Sequence, residues 1–203
     1  MISAPLFSWM TRRRFYADLH VQAAAMIPAV PKPAGARWID VGCGPGLMTR
    51  IAASFGYEAT GIDTSPSMVA TARRQAAREG SAAQFRRGGV ADLPIGAARV
   101  VSALSLLAVL TDPVAGVRQL WDAVAPGGSL LVVEPSERMT PAAARSVIDS
   151  SYSLADSRGL LMWATARAGG WVDPTVLGVE LGAAEHQPLL GGLVSAWRFA
   201  KGG

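Results

Sequence analysis

The stretch Trp38–Arg50, WIDVGCGPGLMTR, sets a short apolar run directly before three glycines and a proline within five positions. The run reads as a buried strand and the segment after Gly46 as a helix, which makes the glycine-rich piece the turn between them. Without a Cβ, Gly42, Gly44 and Gly46 can take positive φ and let a ligand approach the main chain. A helix that starts near Gly46 leaves its first N–H groups without intrahelical partners, which suits an anion. The spacing is Gly-x-Gly-x-Gly, one residue shorter than the dinucleotide fingerprint Gly-x-Gly-x-x-Gly. Pro45 also removes an amide that a diphosphate could use. A nucleotide with a smaller anionic part fits better.

Outward from this loop, strand and helix signals alternate. Residues 1–30 read as an amphipathic helical lid, ending in PAVPKPAG with three prolines in six positions. Residues 31–203 read as one domain. RWIDV, EATGID, AQFRRG, RVVSALS and SLLVVE are successive strands, and AEHQPLL and LVSAWRFA a closing pair around Gly191-Gly192. Helices are expected over GLMTRIAASFG, over SPSMVATARRQAAREG and over DPVAGVRQLWDAVAPGG, and again from Thr140 to about Arg167 inside an insertion spanning 136–172. In the second of these, Ser65 is the N-cap, Pro66 the first helical residue and Gly80 the stop. The pattern predicts a doubly wound, Rossmann-like α/β fold: a mostly parallel seven-stranded sheet with an antiparallel closing strand and an N-terminal helical cap. Ligands of such sheets bind at the carboxyl ends of the strands. Those ends fall at Asp40–Gly46, Asp63, Ala91–Asp92, Ser102–Ser105 and Glu134.

Composition narrows the classes. The chain has 203 residues, half of them hydrophobic and 17% charged, which is a globular balance. Its net charge of +4 is modest, and no aromatic–basic interleaving marks a nucleic-acid face. A single cysteine, Cys43, excludes an internal disulfide and a Cys-built metal site, and no metal is expected. Basic residues follow the apolar ones in MISAPLFSWMTRRRF, unlike a secretory signal, and uncharged runs fall short of the ~18 residues that span a membrane. A cytoplasmic protein is expected.

Seventeen residues past Gly46, Asp63 closes the second strand, where a carboxylate can accept from both ribose hydroxyls. Asp92, in GVADLPI, can accept from an adenine amino group. A glycine loop with these two acids describes a site for S-adenosylmethionine. The ordered segments DVGCGPG, GIDTSPSMVATAR, GVADLP and APGGSLLVVEP resemble the successive motifs of class I S-adenosylmethionine-dependent methyltransferases, in particular the branch acting on small molecules and quinones. The resemblance covers about residues 36–136. It implies that Gly42, Gly44 and Gly46 line the methionine end of the cofactor, with Asp40 near its amino group. Asp63 would hold the ribose, Thr64 and Met68 would flank the adenine, and Ala91 and Asp92 would meet the adenine edge. Ala103 and Leu104 would form the inner wall. The family often opens its fourth strand with Phe-Asp or Tyr-Asp, where this chain has Ala97-Ala98-Arg99.

The activity implied is methyl transfer to a small acceptor, with S-adenosylhomocysteine as product. Transfer from a sulfonium is an in-line displacement that mainly needs alignment and a dry site. The absence of Asn/Asp-Pro-Pro-Tyr after the fourth strand argues against amino methylation of nucleic-acid bases, and the lone cysteine against arsenic methylation. Phe7, Trp9, Met10, Phe15, Leu106, Leu107, Met162, Trp163 and Trp171 are candidates for an apolar acceptor pocket, which favours an apolar or aromatic acceptor. Tyr16 and His20 lie four residues apart on one helical face, and are the catalytic candidates, His20 as a general base. Residues 1–14 combine bulky apolar side chains with Arg12, Arg13 and Arg14, a composition suited to weak contact with an anionic membrane surface. Two alternatives stay open: a protein that binds S-adenosylmethionine for sensing or for other chemistry, and a nicotinamide-dependent oxidoreductase. The sequence leaves the acceptor, the methylated atom and the oligomeric state open.

Overall fold

A computed structural model describes residues 9–28 and 33–203. Helix α1 (Arg14–Ala24) leads into β1 (Arg37–Val41), α2 (Leu47–Ser54), β2 (Glu58–Asp63), α3 (Pro66–Glu79), β3 (Gln84–Arg87) and β4 (Ala98–Leu104). Then follow α4 (Pro113–Asp122), β5 (Val124–Pro135), α5 (Pro141–Val147), α6 (Leu154–Arg167), β6 (Ala184–Leu189) and β7 (Val194–Ala200). The seven strands form one sheet in the order β3-β2-β1-β4-β5-β7-β6. β1 to β5 pair in parallel, and β7 lies antiparallel between β5 and β6. The strand order reverses between β1 and β4, and the carboxyl ends of these two strands flank the crevice that such a reversal leaves.

Local chemistry sets the helix ends. Ser65 caps α3 by accepting from the Met68 N–H, Pro66 opens it, and Gly80 closes it in the left-handed region. Asp112 and Ser153 cap α4 and α6 in the same way. Both sheet faces are buried, as continuous apolar strands require. On one face Trp38, Val100, Leu131 and Val133 pack with α1, α2 and α6. On the other Ile39, Val101, Leu130, Val132 and Phe199 pack with α4.

Two sequence expectations are corrected. The helix expected to run to Gly128 ends at Asp122, and Pro126-Gly127-Gly128 belongs to an elongated β5, where the pairing with β4 shifts register between Ala98 and Val100. The helix expected over 140–167 is two helices, because Asp149 accepts from the Ser151 N–H in a turn and Ser153 starts α6 afresh. The fourth strand opens at Ala98 without the family's aromatic-acid pair. The N-terminal segment is only partly described: residues 1–8, and with them Phe7 and most of the stretch considered for membrane contact, lie outside the described residues. Met10 is fully buried, and Arg13 lies over the Trp9 ring at 4.8 Å. The side chains of α1 join the sheet's own core, with Phe15 stacked on Trp163 at 6.2 Å. No helix among the described residues is long and apolar enough to cross a membrane.

Candidate active site

The loop after β1 is shaped by its glycines more than by free amides. Gly42, Gly44 and Gly46 have φ of 69°, 50° and 80°. Gly42 and Cys43 both donate to the Ile62 carbonyl, Gly44 to Asp63 Oδ2 and Gly46 to the Cys43 carbonyl. These loop amides are therefore spent inside the turn. From α2, Arg50 donates to the Pro45 carbonyl (2.8 Å) and pairs with Glu79, tying the turn to α3. Gly46 serves packing: a Cβ there would sit 2.4 Å from the Phe85 ring and 2.9 Å from Ala72. A Cβ on Gly42 would strike Leu106 at 2.9 Å.

Beneath the loop runs a buried polar chain. Trp38 Nε1 donates to Ser102 Oγ, Ser102 Oγ to Asp40 Oδ1, and Thr49 Oγ1 to Asp40 Oδ2, all within 2.8–2.9 Å. Burial pushes the Asp40 carboxyl up to about 6, against the pull of those two hydroxyls, with Asp63 adding to the rise. Asp40 thus joins the ends of β1, β4 and α2.

A cavity of about 510 Å³ opens beside the loop at the carboxyl ends of the strands. Gly42, Asp63 and Thr64 form one side, Gly88 to Ala91 a second, and Leu104 to Leu106 with Val109 to Thr111 the third. That volume is within the range of small-molecule and cofactor sites. Each Asp63 oxygen accepts one backbone N–H, from Gly44 (2.9 Å) and from Ser65 (2.8 Å). A carboxylate oxygen has a second lone pair, so both can still receive a vicinal diol.

Not every residue singled out in the sequence reaches this cavity. Gly42, Asp63, Thr64, Ala91 and Leu104 line it; Asp40, Gly44, Gly46, Met68, Asp92 and Ala103 do not. Asp92 is exposed, and its Oδ2 accepts from the Gly89 N–H (2.8 Å), so it shapes the 88–91 wall from outside. Ala103 is fully buried within the sheet, and the Met68 N–H donates to the α3 cap, Ser65 Oγ. Tyr16 and His20 stand together as their spacing requires, ring centroids 4.4 Å apart, but both are buried and neither lines the cavity. His20 Nδ1 lies 2.7 Å from the Tyr16 carbonyl, which can only accept, so the imidazole donates there. Burial holds its pKa down at about 4 and keeps the ring neutral. His20 is placed as a packed imidazole.

Sequence position marks Glu134 only as a strand-end residue, and marks Arg167 not at all. Glu134 is fully buried at the end of β5, and its Oε1 accepts from both the Leu106 and Leu107 N–H groups at 2.7 Å. Arg167 Nη2 donates to the Ser105 carbonyl (2.9 Å), and the Ser105 N–H to the Val133 carbonyl (2.7 Å). These bonds hold Ser105 at a left-handed φ of 53°. Glu134 and Arg167 thus fix the wall formed by residues 104–111.

The sequence matches a family model described as a methyltransferase domain over residues 39–128. It is 35% identical over 125 residues to a ubiquinone biosynthesis O-methyltransferase of Xanthomonas axonopodis pv. citri, covering 60% of this chain and 52% of that protein. A protein of the same description from Xanthomonas campestris pv. campestris is 32% identical over 170 residues, covering 81% of this chain and 69% of the relative. The chain belongs to the class I S-adenosylmethionine-dependent methyltransferases. The fold agrees. A structure described as a putative S-adenosyl-L-methionine-dependent methyltransferase from Methanococcus maripaludis matches with a TM-score of 0.70 at 16% identity, covering 98% of this chain and 92% of that one. Phosphoethanolamine N-methyltransferase 2 of Haemonchus contortus, solved with S-adenosyl-L-methionine, matches with a TM-score of 0.65 at 14% identity, covering 98% and 57%. S-adenosylmethionine is the cofactor of this methyltransferase family, and the cavity between Asp63, Gly42 and the 88–91 wall has the size and the acceptors for its adenosine part.

Proposed function

We propose that this methyltransferase acts on the hydroxyl of a small, apolar or aromatic acceptor. The observation that carries the reading is the cavity at the strand-order reversal, with Asp63 at one side and the apolar Leu104, Leu106, Val109 and Leu110 at the other. The relatives' description as O-methyltransferases of ubiquinone biosynthesis supports an oxygen acceptor on an aromatic ring. When bound, S-adenosylmethionine supplies a methyl group on a sulfonium. Asp63 would accept from the ribose hydroxyls, Thr64 and Ala91 would flank the base, and Leu104 and Leu106 would keep water from the reacting centre. Asp92 would act by holding the 88–91 wall, and Tyr16 by packing α1 over the strand ends. The one cysteine, free and buried, is in keeping with a cytoplasmic setting.

Calorimetry with S-adenosylmethionine and S-adenosylhomocysteine tests the cofactor assignment, and a methyl-group assay against catechols and other phenols tests the acceptor class. Binding of both nucleosides with S-adenosylhomocysteine formed on a phenol is the expected outcome. Binding with no turnover on any phenol, amine or thiol would favour a sensing role.

A further inference from the structure

Among the described residues, one buried side-chain oxygen has no hydrogen-bond partner: Oε2 of Glu134. Its sister Oε1 is saturated by the Leu106 and Leu107 N–H groups, so the carboxylate cannot turn to satisfy Oε2 without losing two short bonds. Buried polar atoms are paired as a rule, and an exception at the carboxyl edge of a sheet marks a place that a ligand's donor completes.

We propose that Glu134 is the catalytic residue that takes the proton of the acceptor hydroxyl. This rests on the reading of the chain as an O-methyltransferase. Glu134 Oε2 takes the O–H proton as a lone pair of the acceptor oxygen forms the new O–CH3 bond. The C–S pair stays on sulfur as a neutral thioether. Charge balances: a carboxylate and a sulfonium become a carboxylic acid and a thioether.

Three features fit the role. Oε1 is fixed to the backbone N–H groups of Leu106, which lines the cofactor cavity, and of Leu107, so the carboxylate is anchored behind that wall. The charged and titratable groups that face Glu134 are Arg167 from α6 and Tyr16 from α1, and the Arg167 cation favours the ionised form. Burial outweighs that cation and the N–H donors and brings the carboxyl up to about 7, close to where a general base works best. His20 lacks these features, its ring being neutral and bonded to its own helix. Because Glu134 is fully buried, the acceptor reaches Oε2 only when α6, held to the wall by the Arg167–Ser105 bond, gives way while Leu106 and Leu107 keep their bonds to Oε1.

The test uses 4-nitrocatechol, a phenol of near-neutral acidity whose ionised form absorbs in the visible, on the full chain loaded with S-adenosylhomocysteine. The Glu134→Gln variant keeps a carbonyl for Leu106 and Leu107, and its affinity for S-adenosylhomocysteine should stay within about threefold of wild type. At about pH 7, where roughly half of Glu134 is ionised before the dye binds, wild type should bind the dye with a spectrum shifted toward the phenolate, while Glu134→Gln binds it protonated. Infrared difference spectra of the wild type alone should show a newly protonated carboxyl on dye binding, whether or not the variant folds. Equal dye spectra in the two proteins, no new carboxyl band, or no dye binding by wild type would each overturn the proposal. Failure of wild type to bind S-adenosylhomocysteine would instead remove the methyltransferase reading beneath it.

Discussion

Asp63 and Glu134 both end a parallel strand at the same edge of the sheet, yet their surroundings are opposite. Asp63 lines an open cavity and receives one backbone N–H on each oxygen. Glu134 is sealed, with two N–H groups on one oxygen and none on the other. Asp63 is thus pre-shaped to grip a ligand that enters from solvent, at little cost to the fold. Glu134 carries a burial cost that the fold alone does not recover. The difference fits an acid proposed for binding beside one proposed for chemistry: the first is already hydrogen-bonded and reachable, the second is left incomplete.

The sharpest way to break this comparison is to disturb the loop on which Asp63 depends. Gly46→Ala adds a Cβ against Phe85 and Ala72 at a positive φ, and should cost about 2–5 kcal/mol in urea unfolding. A loss under ~0.5 kcal/mol would show that the loop is not packed as described. Next comes pH. Glu134 and Asp40 are held up at about 7 and 6, so the folded chain binds more protons than the unfolded one between about pH 4 and 7. Stability should therefore fall as pH rises through that window, Glu134 alone contributing roughly 3 kcal/mol. Glu134→Gln should flatten the decline between about pH 4.5 and 7, and an unchanged slope would contradict the burial argument.

On the binding side, Asp63→Ala should weaken S-adenosylmethionine at least about tenfold by calorimetry, with the fold retained. Unaltered affinity would strip Asp63 of its place in the comparison. The smallest effect is expected from Asp92→Ala. Loss of its bond to Gly89 should cost about 1 kcal/mol of stability and under about threefold in cofactor affinity. A loss as large as that of Asp63→Ala would return Asp92 to the adenine contact that sequence assigned it.

The turn, cap and strand-end positions of the cofactor-site candidates were legible because their signals are local. Gly42–Gly46, Ser65-Pro66 and Asp63 each declare a turn, a cap or a strand end within a few residues. The strand order follows from alternation and right-handed crossovers. What remained hidden depends on contacts remote in sequence. Phe85, not a ligand, requires Gly46 to lack a side chain. The spacing of Tyr16 and His20 correctly put them on one face, but nothing local tells whether that face meets a ligand or Trp163. Arg167 looks like an ordinary basic residue at a helix end until the fold brings it to Ser105. Glu134 offered one clue: it is the sole acid in the apolar run SLLVVEP.

The cavity's lining has a consequence for biosynthesis. Among the described residues, all that border it lie between Val41 and Thr111, whereas the two side chains that brace its third wall, Glu134 and Arg167, are translated later. On the ribosome the glycine loop, Asp63 and the 88–91 wall can assemble while Ser105–Thr111 still lacks both braces. The nascent chain then holds a nucleoside-sized cleft with one loose side, and tightens it only after β5 and α6 have emerged.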